Sequence, residues 1–305
     1  MDGVIIIDKP SDYTSFDVVA VMRGLCKQRK IGHTGTLDPM ATGVLIILLG
    51  QATKAQDLLP DSDKEYVANF ELGVRTDTLD ITGEIIEEIA EVNVTKEDIE
   101  EVLKKYKGDI LQVPPMYSAV KKDGKRLYDL ARKGIEVERE AREIKINDIE
   151  LLSYDEKFNK GVIRVSCSKG TYIRSLIDDI GNELKVGGVL TKLKRTKACG
   201  YDISDAITLE NFKKLCEKGE GNTRLQTIES LFTNYKKVSI SANQTKRFMN
   251  GGALDITRTA LKNSYKDSEI YRVNSDKGIF LGLGIIDSEK EELKIYKLFN
   301  IINNQ

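Results

Sequence analysis

The sequence predicts an α/β or α+β chain of mixed strand pairing, followed by a small β-rich unit. Three observations carry that expectation. Short apolar runs of strand length alternate with segments whose apolar residues recur at helical spacing. Threonine-led capping signals stand ahead of two of the helical segments. The residues beyond 234 read mostly as strands around Leu281-Gly282-Leu283-Gly284, a pattern suited to a small barrel. A chain of 305 residues can bury one large core and a smaller one.

Taken in order, residues 4–7 form a short apolar strand stopped by the turn signal Asp8-Lys9-Pro10. Thr14-Ser15-Phe16-Asp17 reads as a capping box, in which Thr14 accepts from the amide three residues on and Asp17 reaches back. Val18, Val21, Met22 and Leu25 then recur at helical spacing, giving a helix to about Cys26. After a basic segment, residues 31–45 hold three glycines, three threonines, the single histidine His33, and Asp38. Residues 44–49 follow as a core strand. Residues 66–72 alternate, with Tyr66, Ala68, Phe70 and Leu72 on one side, as a half-buried strand does.

Thr95 to Asp98 cap a second helix with Ile99, Val102, Leu103 and Tyr106 inward, closed by Lys107-Gly108. Pro114 and Pro115 exclude an interior helix over residues 112–120. A helix is expected at 126–133, ended by Gly134. Residues 144–152 and 161–167 look like strands of one sheet. Residues 172–184 form a helix with Ile173, Leu176, Ile177, Ile180 and Leu184 inward. After a helical region at 209–215, a boundary within 231–235 divides the chain into domains at 1–233 and 234–305. The second begins with a helix at about 243–249 and finishes in strands near 270–273, 278–286 and 293–299.

Composition excludes several classes. No apolar run reaches the length of a membrane span, and the N-terminus lacks the pattern of a signal peptide. The four cysteines lie far apart without a CxxC pair, and one histidine makes a zinc site improbable. A reducing cytoplasm is the expected home. Neither GxGxxG nor GxxxxGK[ST] occurs, which disfavours nucleotide binding by such loops. The net charge of −1 hides segregation. Residues 77–101 are acidic, with Lys96 the lone base, whereas 161–175 and 185–197 carry bases and no acid, and 121–133 carries six bases against two acids. Such segments either present one positive face to a polyanion or make ordinary solvated faces.

The stretch around Asp38 also has two readings. Its glycines permit close backbone approach, and Pro39 holds the aspartate out of the α region. It is either a tight turn between a helix and a strand in which Asp38 bonds its own backbone, or a loop that positions a carboxylate for chemistry. A nucleophilic carboxylate divides one hard displacement into two easier ones, and must be ionised. A nearby cation favours that form. Arg174, in the acid-free 169–176 segment, is the candidate partner; the alternative is a surface charge in the first turn of a helix.

Several separated blocks share one likeness: residues 3–10, 32–45, Lys64-Glu65-Tyr66, 72–80, 114–121, 128–134 and 170–176. In this order they resemble the TruB family of tRNA pseudouridine synthases over roughly residues 3–200. The resemblance implies the pseudouridine synthase fold, an α+β arrangement of a mixed, mainly antiparallel sheet flanked by helices. It also implies a C-terminal PUA-like RNA-binding domain. The implied activity is isomerisation of uridine 55 in the TΨC loop of tRNA, with tRNA as partner, no membrane, no obligate protein partner and a monomeric enzyme. Asp38 matches the family's catalytic aspartate, Arg174 the arginine that pairs with it, and Tyr66 the tyrosine that stacks on uracil and could take its C5 proton. His33 matches a histidine that props open the RNA loop, while Tyr172 and Leu193 match positions lining the substrate pocket. Lys9 and Lys64 are implied to serve the phosphate backbone or the support of the site. No cofactor or metal is required, because N1–C1′ breaks and C5–C1′ forms without redox change. Two rivals stand beside this reading: a tRNA-binding or folding protein with secondary isomerase activity, and a guide-RNA-dependent pseudouridine synthase.

Overall fold

A computed structural model describes residues 1–60 and 63–299; the end of the expected C-terminal domain, 300–305, lies outside the described residues. The chain opens with β1 (Gly3–Lys9), α1 (Ser15–Leu25), β2 (Ile31–Thr34) and β3 (Thr42–Leu49). It continues through β4 (Lys64–Leu72), the hairpin β5 (Val74–Thr76) and β6 (Ile85–Glu88), α2 (Lys96–Lys105) and β7 (Gly108–Gln112). An excursion follows, made of β8 (Lys121–Lys122), β9 (Lys125–Arg126) and α3 (Leu127–Ala131). Then come β10 (Arg142–Asp155), β11 (Lys160–Cys167), α4 (Ile173–Glu183) and β12 (Gly188–Ala198). Two short strands, β13 (Tyr201–Asp202) and β14 (Ile207–Thr208), lead to α5 (Leu209–Glu217). Last are β15 (Lys236–Ile240), α6 (Ala242–Met249), β16 (Leu254–Asp255), β17 (Ile270–Ser275), β18 (Phe280–Asp287) and β19 (Glu292–Leu298).

The main sheet has ten strands in the order β14-β1-β3-β12-β4-β11-β10-β7, with β2 paired to β3 and β13 to β12. Its pairs are antiparallel except β1 with β14 and β3 with β12. The α+β class and the mixed, mainly antiparallel sheet are as expected. Strands β1 and β3 read as unbroken apolar runs because both of their faces are covered. Ile5, Ile7, Leu45 and Ile47 join a core with Val18 and Met22 of α1 and Ile173 and Leu176 of α4. The alternate residues Val4, Ile6, Val44 and Ile46 face Tyr201, Phe232, Phe280 and Phe299. In that second core the Phe299 ring lies 5.7 Å from both Phe232 and Phe280, between centroids. Aromatic packing of this kind therefore joins the second sheet, β15-β17-β18-β19-β16, to the back of the first. The expected small barrel takes the form of this five-stranded sheet, with α6 packed on it through Phe248.

Both threonine capping boxes form, at Thr14–Asp17 and Thr95–Asp98. Other details differ from expectation. Val21 is exposed and Val19 takes its inward place, since the buried stripe of α1 runs through 15, 18, 19 and 22. Helix α3 is a single short turn rather than the length 126–133. The Asp38 stretch joins two strands, not a helix and a strand, because residues 31–34 pair with β3. The basic segment 185–197 contains β12, which bridges β3 and β4 in the middle of the sheet. Its period of two was hidden because one of its inward positions is a charged residue, the fully buried Arg195.

Gly43 has to be glycine where β3 meets β12. Its φ is +100°, and an added Cβ would stand 2.2 Å from the Arg195 carbonyl oxygen. Gly43→Ala is therefore expected to lower stability by about 2–5 kcal/mol, from left-handed strain plus a wedge between strands. Urea unfolding checks this; an unchanged midpoint would mean that the two strands part without loss.

Candidate active site

Asp38 sits in the connection between β2 and β3, and four other segments hold that connection in place. From below, Lys9 on β1 is fully buried and its Nζ donates to the carbonyls of Pro10 and Pro39, at 2.9 and 3.0 Å, and to that of Tyr13. The Asp12 amide donates to the same Pro39 oxygen at 3.0 Å. From the start of α1, the Ser15 hydroxyl accepts from the Leu37 amide at 2.9 Å and donates to the Leu37 carbonyl at 3.2 Å. From β12, Arg195 donates through Nη2 to the Gly35 carbonyl at 2.7 Å and through Nε to the Val44 carbonyl at 2.8 Å. One guanidinium thus pins both ends of the connection. Within it, the Ala41 amide closes a turn on the Asp38 carbonyl at 3.1 Å.

With its backbone so held, the Asp38 side chain turns to Arg174 instead of to its own loop. Arg174 Nε donates to Asp38 Oδ2 at 3.0 Å. This arginine is 5% exposed, and each edge of its guanidinium is used. Nη1 lies 3.4 Å from Asp80 Oδ2 and donates to the Thr78 carbonyl at 3.1 Å; Nη2 donates to the Tyr117 carbonyl at 2.9 Å. Arg174 stands in the first turn of α4, just after Tyr172, which caps the helix. Gln112 grips that cap, accepting from the Tyr172 amide at 2.8 Å and donating to its carbonyl at 3.0 Å. The site therefore draws on the Asp38 loop, the 78–80 turn, the 112–117 segment and α4.

The electrostatics follow from this enclosure. Burial pushes the Asp38 carboxyl above the usual carboxylate range, opposed by the Arg174 and Lys9 charges and reinforced by Asp80. Its side chain still keeps 39% of its surface, so the aspartate is paired without being sealed off. Burial pushes Lys9 down to about 8. Lys64, half-buried at the start of β4, is pushed down by burial and by Arg195. Burial raises the Tyr66 hydroxyl, against Arg195, with a smaller upward push from Asp38. Tyr66 lies on β4 opposite Arg195 of β12, and Leu193 lies on the same strand opposite Ala68. Leu193 is buried in the core that also holds Tyr66 and Leu37.

Of the sequence candidates, the structure joins Asp38 to Arg174 directly and sets Tyr66 opposite Arg195, within reach of the Asp38 charge. Lys9 supports the loop with all three of its ammonium donors, so it has none left for a phosphate. His33 is on β2 opposite Ile47, and its ring partner is Phe16, not Asp38. Two site residues were missed. Asp80 was buried within an acidic stretch, and its neighbours Thr76, Thr78 and Thr82 gave no sign of a cation partner. Arg195 was counted as one more surface base, although the alternation Leu193, Arg195 against Lys192, Lys194 could have revealed it.

Comparison with known proteins identifies the family. Residues 23–173 match the model of the TruB family pseudouridylate synthase N-terminal domain, and residues 174–232 match the tRNA pseudouridylate synthase B C-terminal domain. The chain is 42% identical to tRNA pseudouridine synthase B of Clostridium tetani over 301 residues, covering 98% of this chain and 99% of that protein. It is 39% identical to the protein of the same name from Clostridioides difficile, covering 97% and 98%. Among solved structures, a Cbf5-Nop10-Gar1 complex contains a chain with a TM-score of 0.75 and 28% identity, covering 97% of this chain and 84% of that one. The fold, the length of the match and the conjunction of a loop aspartate with a buried arginine lead to one assignment: the chain belongs to the TruB family of pseudouridylate synthases, which are isomerases.

Proposed function

We propose that this chain converts uridine 55 in the TΨC loop of tRNA to pseudouridine, acting alone in the cytoplasm with Asp38 as its catalytic residue. The observation that supports the reading most is the 3.0 Å pair between Arg174 and an aspartate whose side chain remains partly exposed. A base inside a stacked loop must leave the stack before its glycosidic bond can be reached. Asp38 then assists the break of N1–C1′, the uracil turns, C5 bonds to C1′, and the proton lost from C5 is balanced by one gained at N1. Atoms and electrons balance without a further reagent. Arg174 holds the carboxylate in one orientation and favours its ionised form. Burial keeps Tyr66 a neutral phenol, which suits a platform for uracil; taking the C5 proton would need the phenolate, which Arg195 favours.

His33 is the residue type to fill the gap left by an extruded base, and burial with Arg195 holds its imidazole neutral at physiological pH. Lys192 and Lys194 are exposed on β12, on the sheet face opposite Tyr66 and Arg195, and offer positive charge for phosphate there, whereas Lys197 pairs with Glu65 at 3.5 Å. We place the domain boundary between residues 233 and 234, just ahead of the first strand of the second sheet, and assign that sheet to RNA contact as a PUA-like domain. Among the described residues no helix is long and apolar enough to cross a membrane.

The purified chain, given a T-arm stem-loop and no guide RNA, is expected to form pseudouridine at one position by mass-spectrometric mapping. No product without added guide RNA would reverse the choice of stand-alone action. Asp38→Asn is expected to lower turnover at least about 10³-fold while RNA affinity stays near wild type. A variant that still converted uridine would remove Asp38 from the mechanism.

The acid limb of kcat/KM gives a second expectation. Asp38 acts ionised and its carboxyl is raised, so activity should fall as pH drops through a value above the ordinary carboxylate range. Asp80 adds to that rise, so Asp80→Asn should move the limb to lower pH. A pH–rate series on both proteins checks the sign; a limb that moved upward would contradict it.

A further inference from the structure

Phe16 is an apolar residue that joins none of the apolar cores found among the described residues. Its side chain is 68% exposed in the first turn of α1, and a lone exposed phenylalanine is by itself ordinary. Its position is not. Its ring stands edge-on to His33, with 5.3 Å between centroids and 82° between planes. The neighbouring Ser15 clamps both backbone groups of Leu37, one residue from Asp38, and the Thr14–Asp17 capping box fixes the turn from the other side. Phe16 is thus held rigidly with respect to the catalytic loop while its ring meets solvent. His33 Nδ1 is buried without a hydrogen-bond partner, so no polar contact at that nitrogen explains the pairing. Two perpendicular aromatic planes make a corner, and an unpaired base stacked on one ring would meet the other edge-on, both favoured geometries.

Resting on the reading of this chain as an RNA-modifying enzyme, we propose that Phe16 is a second stacking residue for the RNA loop, holding the nucleotide beside the extruded uridine. Unstacked loop bases are the part of RNA that aromatic side chains recognise, and such stacking tolerates any base. The flat ring is the functional feature, so tyrosine should replace it and an aliphatic side chain should not.

The test uses the full chain with Phe16→Ala, Phe16→Leu and Phe16→Tyr, and a T-arm stem-loop as the probe. Binding is measured in an Asp38→Asn background so that turnover does not intrude. Phe16→Ala and Phe16→Leu should each weaken binding by about tenfold, and Phe16→Tyr should restore it. The same Phe16→Ala loss should persist when His33 is already alanine, because the ring touches RNA itself. Unchanged affinity in Phe16→Ala, or a loss that vanishes in the His33→Ala background, overturns the proposal; the latter result would mean that Phe16 only braces His33. A wild-type chain that neither bound nor converted the stem-loop would overturn both this proposal and the reading beneath it.

Discussion

The buried guanidinium of Arg174 is the interaction on which the site depends. It is removed from water and surrounded by two carboxylates and two backbone carbonyls from three separate segments. Burying a charge costs several kcal/mol unless its donors are met. Here the fold meets them with the Asp38 loop, the 78–80 turn and Tyr117, so losing any one leaves the others around an under-satisfied cation. The same demand explains why a protein with a central sheet carries a turn and a proline-rich segment across one end of α4. They deliver acceptors to one side chain. The geometry also favours function over economy, because one of the carboxylates, Asp38, stays open while Asp80 is 6% exposed at its side chain. One acid holds the arginine; the other is held by it.

A second buried cation prepares the loop that Arg174 receives. Arg195 spans Gly35 and Val44 from the strand beside them, and Lys9 supports Pro39 from beneath. The carboxylate proposed as catalytic therefore rests on a connection whose carbonyls are bound by cations, while its side chain faces another. Gly43 allows this by letting β3 approach the Arg195 backbone, which a Cβ would prevent. Stability and chemistry draw on the same contacts around residues 35–44.

Much of this was legible in the sequence, for reasons particular to each element. The capping boxes at Thr14 and Thr95 were readable because their chemistry is local, between residues three apart. Strand β3 was readable because a strand covered on both faces has no polar positions. The likeness of spaced blocks, rather than composition, pointed to Asp38 and Arg174 together. What escaped was non-local. Pairing of 31–34 with β3 depends on the partner strand, since Gly32 and His33 have weak strand preference. Strand β12 was concealed by lysines on its exposed face and by Arg195 on its buried one. Asp80 becomes a site residue only because the 78–80 turn lands on α4, a contact across more than ninety residues that no spacing rule anticipates.

The central claim is that Asp38, Arg174 and Asp80 act as one unit. A double-mutant cycle on single-turnover rates, with Arg174→Lys, Asp80→Asn and the double variant, tests it most directly. Lysine keeps the charge of Arg174 but cannot bridge two carboxylates with a planar fork. The account predicts that each single change slows the reaction and that the double variant is little slower than the worse single one. Losses that simply multiplied would contradict it, placing Asp80 outside the machinery that orients Asp38.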